Sequence, residues 1–302
     1  MSLRACQFLV LSLLLYALVP SAQELSPRAY WPAPVGTQVA TVGYSHASGD
    51  VVPDRSLPLT GVDSSIDSVY FGYRQTFNLW DRTANITLDV PYVDGTTVGS
   101  REGEIDLERN YQGMGDLAAT LSVNILGAPA MNREEFASLR RDAPNILGAS
   151  IKVVAPTGRY DSDRLINVGA NRWAMKAELG YITVLHPRWV LETSLGVWFF
   201  EDNDDFLGVS KEQKPVVTMQ GHLIHRFRPG LWASLDFTYY EGGRSTIGGR
   251  RLDDLQRDSK IGVTLVFPFA AGHAIKLGYS NGSLNDSDES FDVFQLSYQQ
   301  LF

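Results

Sequence analysis

The sequence contains one cysteine, Cys6, among 302 residues, and it has no apolar run as long as a membrane helix. A single cysteine excludes an intramolecular disulfide. The lack of a long apolar run excludes a transmembrane helix, which needs about 20 apolar residues. Basic residues are also scarce relative to acidic ones. The 26 basic side chains are outnumbered by 34 acidic ones, and the formal net charge of −8 argues against a nucleic-acid partner. Apolar residues make up 44%, so a disordered chain is excluded as well.

The first two dozen residues have the three-part pattern of a secretory signal peptide. Arg4 precedes the apolar run 8–19, and small residues follow it. We predict cleavage after Ala22 or one residue earlier, which removes Cys6 and leaves an exported chain without a thiol. Extensive backbone pairing is the natural way to stabilise such a chain. The predicted domains are a signal peptide at 1–22, a periplasmic N-terminal segment at 23–35 and one outer-membrane β-barrel at 36–302.

The mature chain repeats one pattern: about ten residues that are apolar at every second position, then a polar break rich in Gly, Asp, Asn and Ser. This alternation predicts β-strands with one apolar and one mixed face. For example, Val263 and Leu265 alternate with Lys260 and Thr264. The twelve predicted strands lie at approximately 36–45, 67–77, 84–93, 115–126, 147–156, 172–184, 189–200, 215–226, 231–240, 259–267, 274–280 and 292–302.

Long and short breaks alternate along the chain, which is typical of an outer-membrane barrel with short periplasmic turns and long external loops. The predicted fold is therefore all-β: a transmembrane antiparallel up-and-down β-barrel of about twelve strands. One break, 127–146, is long where a short turn is expected. Within it, Asn132 and Glu135 predict a short capped helix with Phe136 and Leu139 on one side.

Aromatic residues on the apolar face fall near the predicted strand ends, as in the aromatic belts of membrane barrels. A secreted β-sandwich, the alternative fold, has no reason for this placement. At the short-turn ends these residues are Phe77, Trp189, Phe227, Phe267 and Phe302, and at the long-loop ends they are Tyr44, Tyr92, Trp173, Phe199, Tyr239 and Tyr279.

The last predicted strand has apolar or aromatic residues at alternate positions and ends on Phe302. This arrangement resembles the terminal signal by which outer-membrane proteins are presented to the barrel assembly machinery. Tyr298 and Phe302 are the predicted signal residues.

The mixed faces of the strands should line the barrel lumen. Six of their charged side chains are cations and four are anions, with one histidine left neutral, so ion pairs across the lumen are expected. Twelve strands should enclose a narrow, partly obstructed lumen rather than a wide pore. The candidate pore-lining residues are Arg74, Asp89, Lys152, Lys176, Glu178, Glu192, His222, Arg226, Asp236, Lys260 and Lys276.

A motif in the middle of the chain resembles the signature of the outer-membrane "MetA-pathway of phenol degradation" family, whose members are often called transporters. The matching stretches are Val-Ala-Pro-Thr-Gly-Arg-Tyr-Asp at 154–161, Arg-Leu-Ile-Asn-Val-Gly-Ala-Asn-Arg-Trp at 164–173 and Glu-Leu-Gly at 178–180. The resemblance implies a barrel that passes small, often aromatic molecules and carries no catalytic residue. The motif residues are Pro156, Thr157, Gly158, Tyr160, Asn167, Gly169, Asn171, Arg172 and Trp173.

The motif also has a physical interpretation as an ordered hairpin loop. Pro156 ends a strand because it cannot donate to the ladder, while Asp161 and Asn167 can bond their own loop backbone. Trp173 should then lie in the outer aromatic belt, and Arg172 should face either the lumen or lipopolysaccharide phosphates. A loop-shaping role without any part in transport is an open alternative.

Other chemistry is poorly supported by the sequence. His222 and His225 are three residues apart on one strand and point to opposite faces, so they are not a metal pair. The acidic group at 201–205 matches no calcium loop. No cofactor site and no enzyme are predicted. The expected partners are outer-membrane lipid, lipopolysaccharide, the barrel assembly machinery and a small-molecule solute. The alternative function is a non-transporting structural or surface-interaction barrel with a plugged lumen.

Overall fold

The computed structural model describes residues 27–51, 62–99, 107–140, 144–282 and 290–302. The predicted signal peptide at 1–22 lies outside these residues. The strands are β1 (Gln38–Gly49), β2 (Val62–Leu79), β3 (Arg82–Gly99), β4 (Leu107–Met114), β5 (Leu117–Leu126), β6 (Ile146–Ala155), β7 (Ala174–His186), β8 (Trp189–Phe200), β9 (Asn203–Phe206), β10 (Val209–Gln213), β11 (Val216–Arg228), β12 (Leu231–Gly242), β13 (Ser245–Ile247), β14 (Arg250–Arg251), β15 (Gln256–Ala270), β16 (His273–Gly282) and β17 (Phe291–Leu301), and the helix is α1 (Arg133–Leu139).

The sheet closes on itself into a twelve-stranded antiparallel barrel. Each wall strand pairs with its neighbour along the chain, and β17 pairs with β1 from Val39 opposite Leu301 to Gly49 opposite Phe291. The fourth wall strand is divided into β4 and β5, which both pair with β3. All twelve predicted strands are present, so the predicted fold class is confirmed.

The strand alternation places apolar side chains outside and polar ones inside. On β15, Val263 is 52% exposed and Leu265 is 39% exposed, whereas Lys260 and Thr264 are buried in the lumen. A β-sandwich would bury the apolar face between two sheets, so this arrangement excludes the alternative fold. An apolar outer face is stable in lipid, which makes period two the dominant signal in the sequence.

The predicted belt aromatics all lie on the outer face. Tyr44, Phe77 and Tyr239 are half-buried between their outer neighbours. The others are exposed: Tyr92, Trp173, Trp189, Phe199, Phe227, Phe267, Tyr279 and Phe302.

The short-turn end carries the predicted helix, which is confirmed as α1. The Asn132 side chain accepts hydrogen bonds from the backbone N–H groups of Glu134 and Glu135, and the Glu135 carboxylate accepts from the N–H of Asn132, which completes a capping box. Just before it, the N–H of Ala130 bonds the carbonyl of Asp81 at 3.0 Å, which fixes this connection to the β2–β3 turn. Among the described residues, no helix is long and apolar enough to cross a membrane.

The long-loop end contains a small second sheet that the sequence analysis did not predict. It has four strands in the order β14, β13, β10 and β9. Its strands come from the loops 201–214 and 241–258. The Phe206 side chain packs against Val62, Ile166 and Ile247, which ties this sheet to the barrel rim and to the motif loop.

Candidate functional site in the barrel lumen

A cavity of about 1000 Å³ occupies the middle of the lumen, between a floor at the short-turn end and a roof at the long-loop end. Its wall is formed by the inner faces of the barrel strands. Nine of the eleven candidate pore-lining residues line it: Arg74, Asp89, Lys152, Lys176, Glu178, Glu192, His222, Lys260 and Lys276.

Two candidates, Arg226 and Asp236, face inward without lining the cavity. The guanidinium group of Arg226 donates to the carbonyl of Pro187 at 2.8 Å and lies 5.6 Å from the ring centroid of Trp31, which places it below the floor. Asp236 is 0% exposed. Its carboxylate is covered by its partners, the His222 ring at 2.8 Å and the Thr264 hydroxyl at 2.7 Å. Alternation predicts the inward face of both residues correctly. It does not predict how far along the barrel axis a side chain lies or which neighbours shield it from the cavity.

The floor is built around Tyr30, which precedes the first strand and is buried inside the barrel. Its ring lies against Gly148 and Gly180, which are cross-strand partners on β6 and β7. A Cβ atom on Gly180 would lie 2.1 Å from the ring, and one on Gly148 would lie 2.3 Å from it. Only glycine therefore leaves room for the ring. The hydroxyl group is 2.8 Å from Ser150 Oγ and donates to Glu178 at 2.9 Å.

Arg28 provides the second attachment of this segment. Its backbone N–H donates to the Glu192 carboxylate at 2.5 Å, and its guanidinium group lies 4.8 Å from Trp31 and 5.4 Å from Trp232. Burial lowers the pKa of Arg28 to about 10, although the nearby Glu192 raises it, so the guanidinium stays charged at neutral pH. Burial also raises the pKa of Tyr30, which keeps its hydroxyl a donor.

Part of the N-terminal segment packs inside the barrel. Residues 28–31 enter the lumen, where Tyr30 packs in one apolar cluster with inner side chains of the short-turn end. The cluster also contains Met131, while Phe136 and Leu139 of α1 pack against it. This apolar layer lies below the cavity and forms its floor.

The roof is the motif loop at 156–173, and the Asp116 side chain is one of its attachments to the barrel wall. The Asp116 carboxylate accepts the backbone N–H groups of Gly158 and Ala170, both at 2.8 Å. The two backbones cross closely there, since a Cβ atom on Gly158 would lie 2.8 Å from the Cα of Gly169. The motif glycines are therefore needed for contact between backbones.

The remaining motif residues shape the loop and connect it to the second sheet. Asn167 bonds the backbone of Asp161, accepting from its N–H at 2.8 Å and donating to its carbonyl at 3.0 Å, as predicted. Asn171 adopts a left-handed backbone with φ of 53°, which asparagine tolerates well. Its side chain donates to Asn203 at 3.0 Å, and Asn203 in turn donates to the Tyr160 hydroxyl at 2.9 Å.

The loop ends on two side chains that point in opposite directions. Arg172 faces the lumen, bonds the Gln213 side-chain oxygen and lies 4.6 Å from the Phe200 ring, so the lumen alternative is the right one. Trp173 faces outward, as predicted, and is exposed. Val168 packs inside the barrel mouth with Val93 and other inner residues, so the loop folds into the barrel mouth.

Charge on the lumen wall is arranged in pairs. Lys176 Nζ lies 2.5 Å from the Glu178 carboxylate, and the Gln220 amide donates to the same carboxylate at 3.2 Å. Within the described ranges, no cluster of three or more His, Asp or Glu side chains could hold a metal ion. The described lining of the cavity offers ammonium, guanidinium, imidazole, carboxylate and amide groups beside aromatic rings.

Sequence reasoning missed Tyr30 and Gln213, which lie outside the predicted strands. It also missed Asp116, although this residue lies in the predicted strand 115–126 with lumen parity. One signal was available for Tyr30. Gly148 and Gly180 both have lumen parity on adjacent predicted strands, and paired inner glycines indicate close approach of a bulky group.

Comparison with known proteins gives one family and one fold. The family model described as "Putative MetA-pathway of phenol degradation" matches residues 45–289. The COG4313 outer membrane channel from Pseudomonas putida F1 has a TM-score of 0.76 at 22% identity, covering 92% of this chain and 100% of that chain. The beta domain of the Bordetella autotransporter BrkA has a TM-score of 0.52 at 9% identity, covering 89% and 100%. Among curated proteins, none matches the sequence.

Proposed function

The chain belongs to the MetA-pathway of phenol degradation family, and on this basis we propose that it is an outer-membrane channel for small, hydrophobic or aromatic solutes. The observation that carries the proposal is the cavity of about 1000 Å³ inside a closed wall with an apolar outer face. A volume of this size matches small-molecule sites in general. Its lining places aromatic rings, among them Tyr30, Trp198 and Phe200, between many charged side chains. The rings offer a contact surface to a solute with an apolar body.

Both closures of the cavity can open without breaking the barrel wall. The floor is attached by the Arg28 backbone N–H to Glu192 and by the Tyr30 hydroxyl to Glu178. The roof is attached by the Asp116 carboxylate and by bonds of Arg159 and Thr157 to the neighbouring strands. Neither closure belongs to a wall strand. Displacement of either one therefore leaves the backbone pairing of the wall intact, as a gated path requires.

The proposal includes the route and surroundings of the protein. A cleaved signal peptide at 1–22 exports the chain, the barrel assembly machinery inserts it, and lipid and lipopolysaccharide contact its outer face. The lumen is the transport path, and no catalytic step and no cofactor are part of the function.

A second candidate is a structural or surface-interaction barrel that transports nothing. The observation in its favour is that Tyr30 packs inside the barrel below the cavity and Val168 of the loop 156–173 packs inside the barrel mouth above it. In that case the cavity results from side-chain packing alone, and the external loops carry the function by binding other molecules at the cell surface.

Solute flux separates the two candidates. The purified protein is reconstituted into proteoliposomes, and the entry of benzyl alcohol and of an equally small sugar is compared with empty liposomes and with heat-denatured protein. The channel proposal expects faster entry of the aromatic solute. No increase for any solute, together with no current in planar bilayers, supports the non-transporting barrel.

A further inference from the structure

Two neighbouring turns at the short-turn end of the barrel carry basic side chains. His186 ends β7, and Arg188 follows it in the turn to β8. Arg226 and Arg228 lie at the end of β11, just before the turn to β12. Because β8 and β11 pair with each other in the wall, the two turns lie side by side. We call these four residues the basic rim.

Hydrogen bonds join the two turns. The backbone N–H of Arg226 donates to the carbonyl of Arg188 at 2.8 Å, and the Arg226 guanidinium donates to the carbonyl of Pro187 at 2.8 Å. The side chains of His186, Arg188 and Arg228 are exposed. The basic rim is therefore one connected surface with a fixed backbone.

The positive charge of the basic rim is not balanced by nearby acids. None of its side chains forms an ion pair with a carboxylate in the part of the chain that the structure describes. The charged neighbour of Arg226 is a further cation, Arg140 at the end of α1. At the long-loop end, by contrast, three arginines have carboxylate partners. These pairs are Arg164 with Asp161, Arg244 with Asp253 and Arg257 with Glu241.

Outward aromatic rings adjoin the basic rim on its membrane side. Trp189 directly follows Arg188, Phe227 directly precedes Arg228, and both aromatic side chains are exposed. The His225 ring packs between them, with centroid distances of 4.5 Å to Trp189 and 4.7 Å to Phe227. Aromatic belts mark the level of the lipid headgroups in membrane barrels. The exposed arginines therefore lie where headgroup phosphates are found.

We propose that the basic rim binds the headgroup of an anionic phospholipid in the periplasmic leaflet, with the phosphate at Arg188 and Arg228 and the acyl chains along Trp189 and Phe227. Short turns of an outer-membrane barrel face the periplasm, so the partner is a phospholipid and not the lipopolysaccharide of the outer leaflet. A guanidinium group matches phosphate oxygens, and a net negative headgroup offsets the positive charge. The inference rests on the outer-membrane location in the proposed function, but it does not depend on transport.

Lipid binding is measured by native mass spectrometry on the full mature chain in detergent. The probes are phosphatidylglycerol and phosphatidylcholine with identical acyl chains, which share the phosphate and differ in net charge. Phosphatidylglycerol should bind at least about fivefold more tightly, the effect of one basic residue near an anionic lipid. The preference should weaken as salt is added, because salt screens exposed charges. Equal binding of the two lipids would overturn the proposal.

Variants locate the lipid. Arg188→Gln combined with Arg228→Gln should lower the preference for phosphatidylglycerol by about fivefold or more. Arg250→Gln combined with Arg251→Gln is the matched control, because it removes the same charge from two exposed residues of β14 at the long-loop end. It should leave the preference unchanged. Equal preferences in the two double variants would show that the lipid does not bind at the basic rim.

Two further arms test folding and the source of the phosphate. Arg188→Lys combined with Arg228→Lys keeps the charge and should keep most of the preference, and each variant is first tested for heat-modifiable migration on a gel. A loss as large as that of the Gln variant would show that positive charge is not what binds the lipid. An excess of glycerol phosphate, which lacks acyl chains, should not displace phosphatidylglycerol. Full displacement would identify a soluble phosphate as the partner and overturn the lipid assignment.

The outcomes separate this inference from the proposed channel. If solutes cross proteoliposomes but the two lipids bind equally, the inference is wrong and the channel stands. If no solute crosses, the channel proposal fails, whereas the lipid measurement still decides what the basic rim binds.

Discussion

The Tyr30 hydroxyl donates a 2.9 Å hydrogen bond to the carboxylate of Glu178, a residue 148 positions further along the chain. The bond joins a segment that precedes the barrel to the middle of the barrel wall. Glu178 also contacts Lys176, so the attachment of the floor and the charge on the cavity wall share one carboxylate. A change at the floor should therefore be felt in the cavity.

Gly180→Ala should open the floor. The new Cβ would lie 2.1 Å from the Tyr30 ring, and overpacking of this kind costs about 1–3 kcal/mol, comparable to a hydrogen bond to a charged group. We expect the segment to leave the lumen and single-channel conductance in planar bilayers to rise. Tyr30→Ala should have the same effect because it removes the ring and the hydroxyl.

Gly221→Ala is the matched control, because its added Cβ would have no atom within 4 Å among the described residues. It should conduct like the unaltered protein. Equal conductance of Gly180→Ala and Gly221→Ala in assembled barrels would show that Tyr30 does not obstruct the path.

Asp116→Ala should release the roof. The substitution removes both acceptors for the N–H groups of Gly158 and Ala170, at a cost of about 1.5–3 kcal/mol for each bond to a charged group. The loop should then open locally, and trypsin should cut after Arg164 faster, as measured by mass spectrometry on outer-membrane fragments. Asp163→Ala, an exposed residue of the same loop, is the control. Identical cleavage rates in the two variants would contradict the anchoring role.

The barrel wall could be predicted from the sequence because lipid imposes the alternation directly. In 259–267, every outward residue must be apolar, so Ile261, Val263 and Leu265 reveal the strand and its outer face without any knowledge of the neighbours. The capped helix could be predicted for a different reason: Asn132 and Glu135 form its capping box and are only three residues apart. Local and periodic constraints are visible in one sequence.

The floor and roof could not be predicted in the same way. Tyr30 is held by Ser150 and Glu178, more than a hundred residues away, and its own segment has no period. Strand β9 has four residues and β10 has five, too short for alternation to stand out. Asp236 faces inward, as its parity predicts. Its contacts with His222 and Thr264 depend on where these residues lie along the barrel axis, and parity gives no information on that position.

Arginine on the outer face should destabilise the barrel according to its depth in the membrane. Val263 lies near the middle of β15 and Phe267 lies towards the short-turn end, and both face outward. Val263→Arg should lower the free energy of unfolding in lipid vesicles by about 2–4 kcal/mol, whereas Phe267→Arg should lower it by about 0–1 kcal/mol. Guanidinium titrations in vesicles measure both. Equal losses at the two positions would contradict the assigned membrane depth.

Assembly should depend on the outward face of the last strand. The backbone N–H of Phe302 bonds the carbonyl of Gln38 at 2.9 Å, and the Tyr298 hydroxyl lies 2.7 Å from the His273 ring on the neighbouring strand. An unpaired edge in lipid costs several kcal/mol for each backbone group, so β17 must dock for the barrel to close. We predict that changing Tyr298 and Phe302 together to Ser lowers the amount of heat-modifiable protein in the outer membrane and leaves chain in the periplasm for degradation.

The control for that prediction is the inward face of the same strand. Ser297→Ala combined with Gln299→Ser alters two residues of lumen parity, and Ser297 is buried there. Because these side chains are off the face on which the terminal signal is expected, the double variant should assemble near the normal level. Heat-modifiable protein in outer-membrane fractions and full-length chain in a protease-deficient periplasm are quantified for both variants. Equal losses for the two faces, or normal assembly without the aromatics, would show that Tyr298 and Phe302 are ordinary belt residues and not an assembly signal.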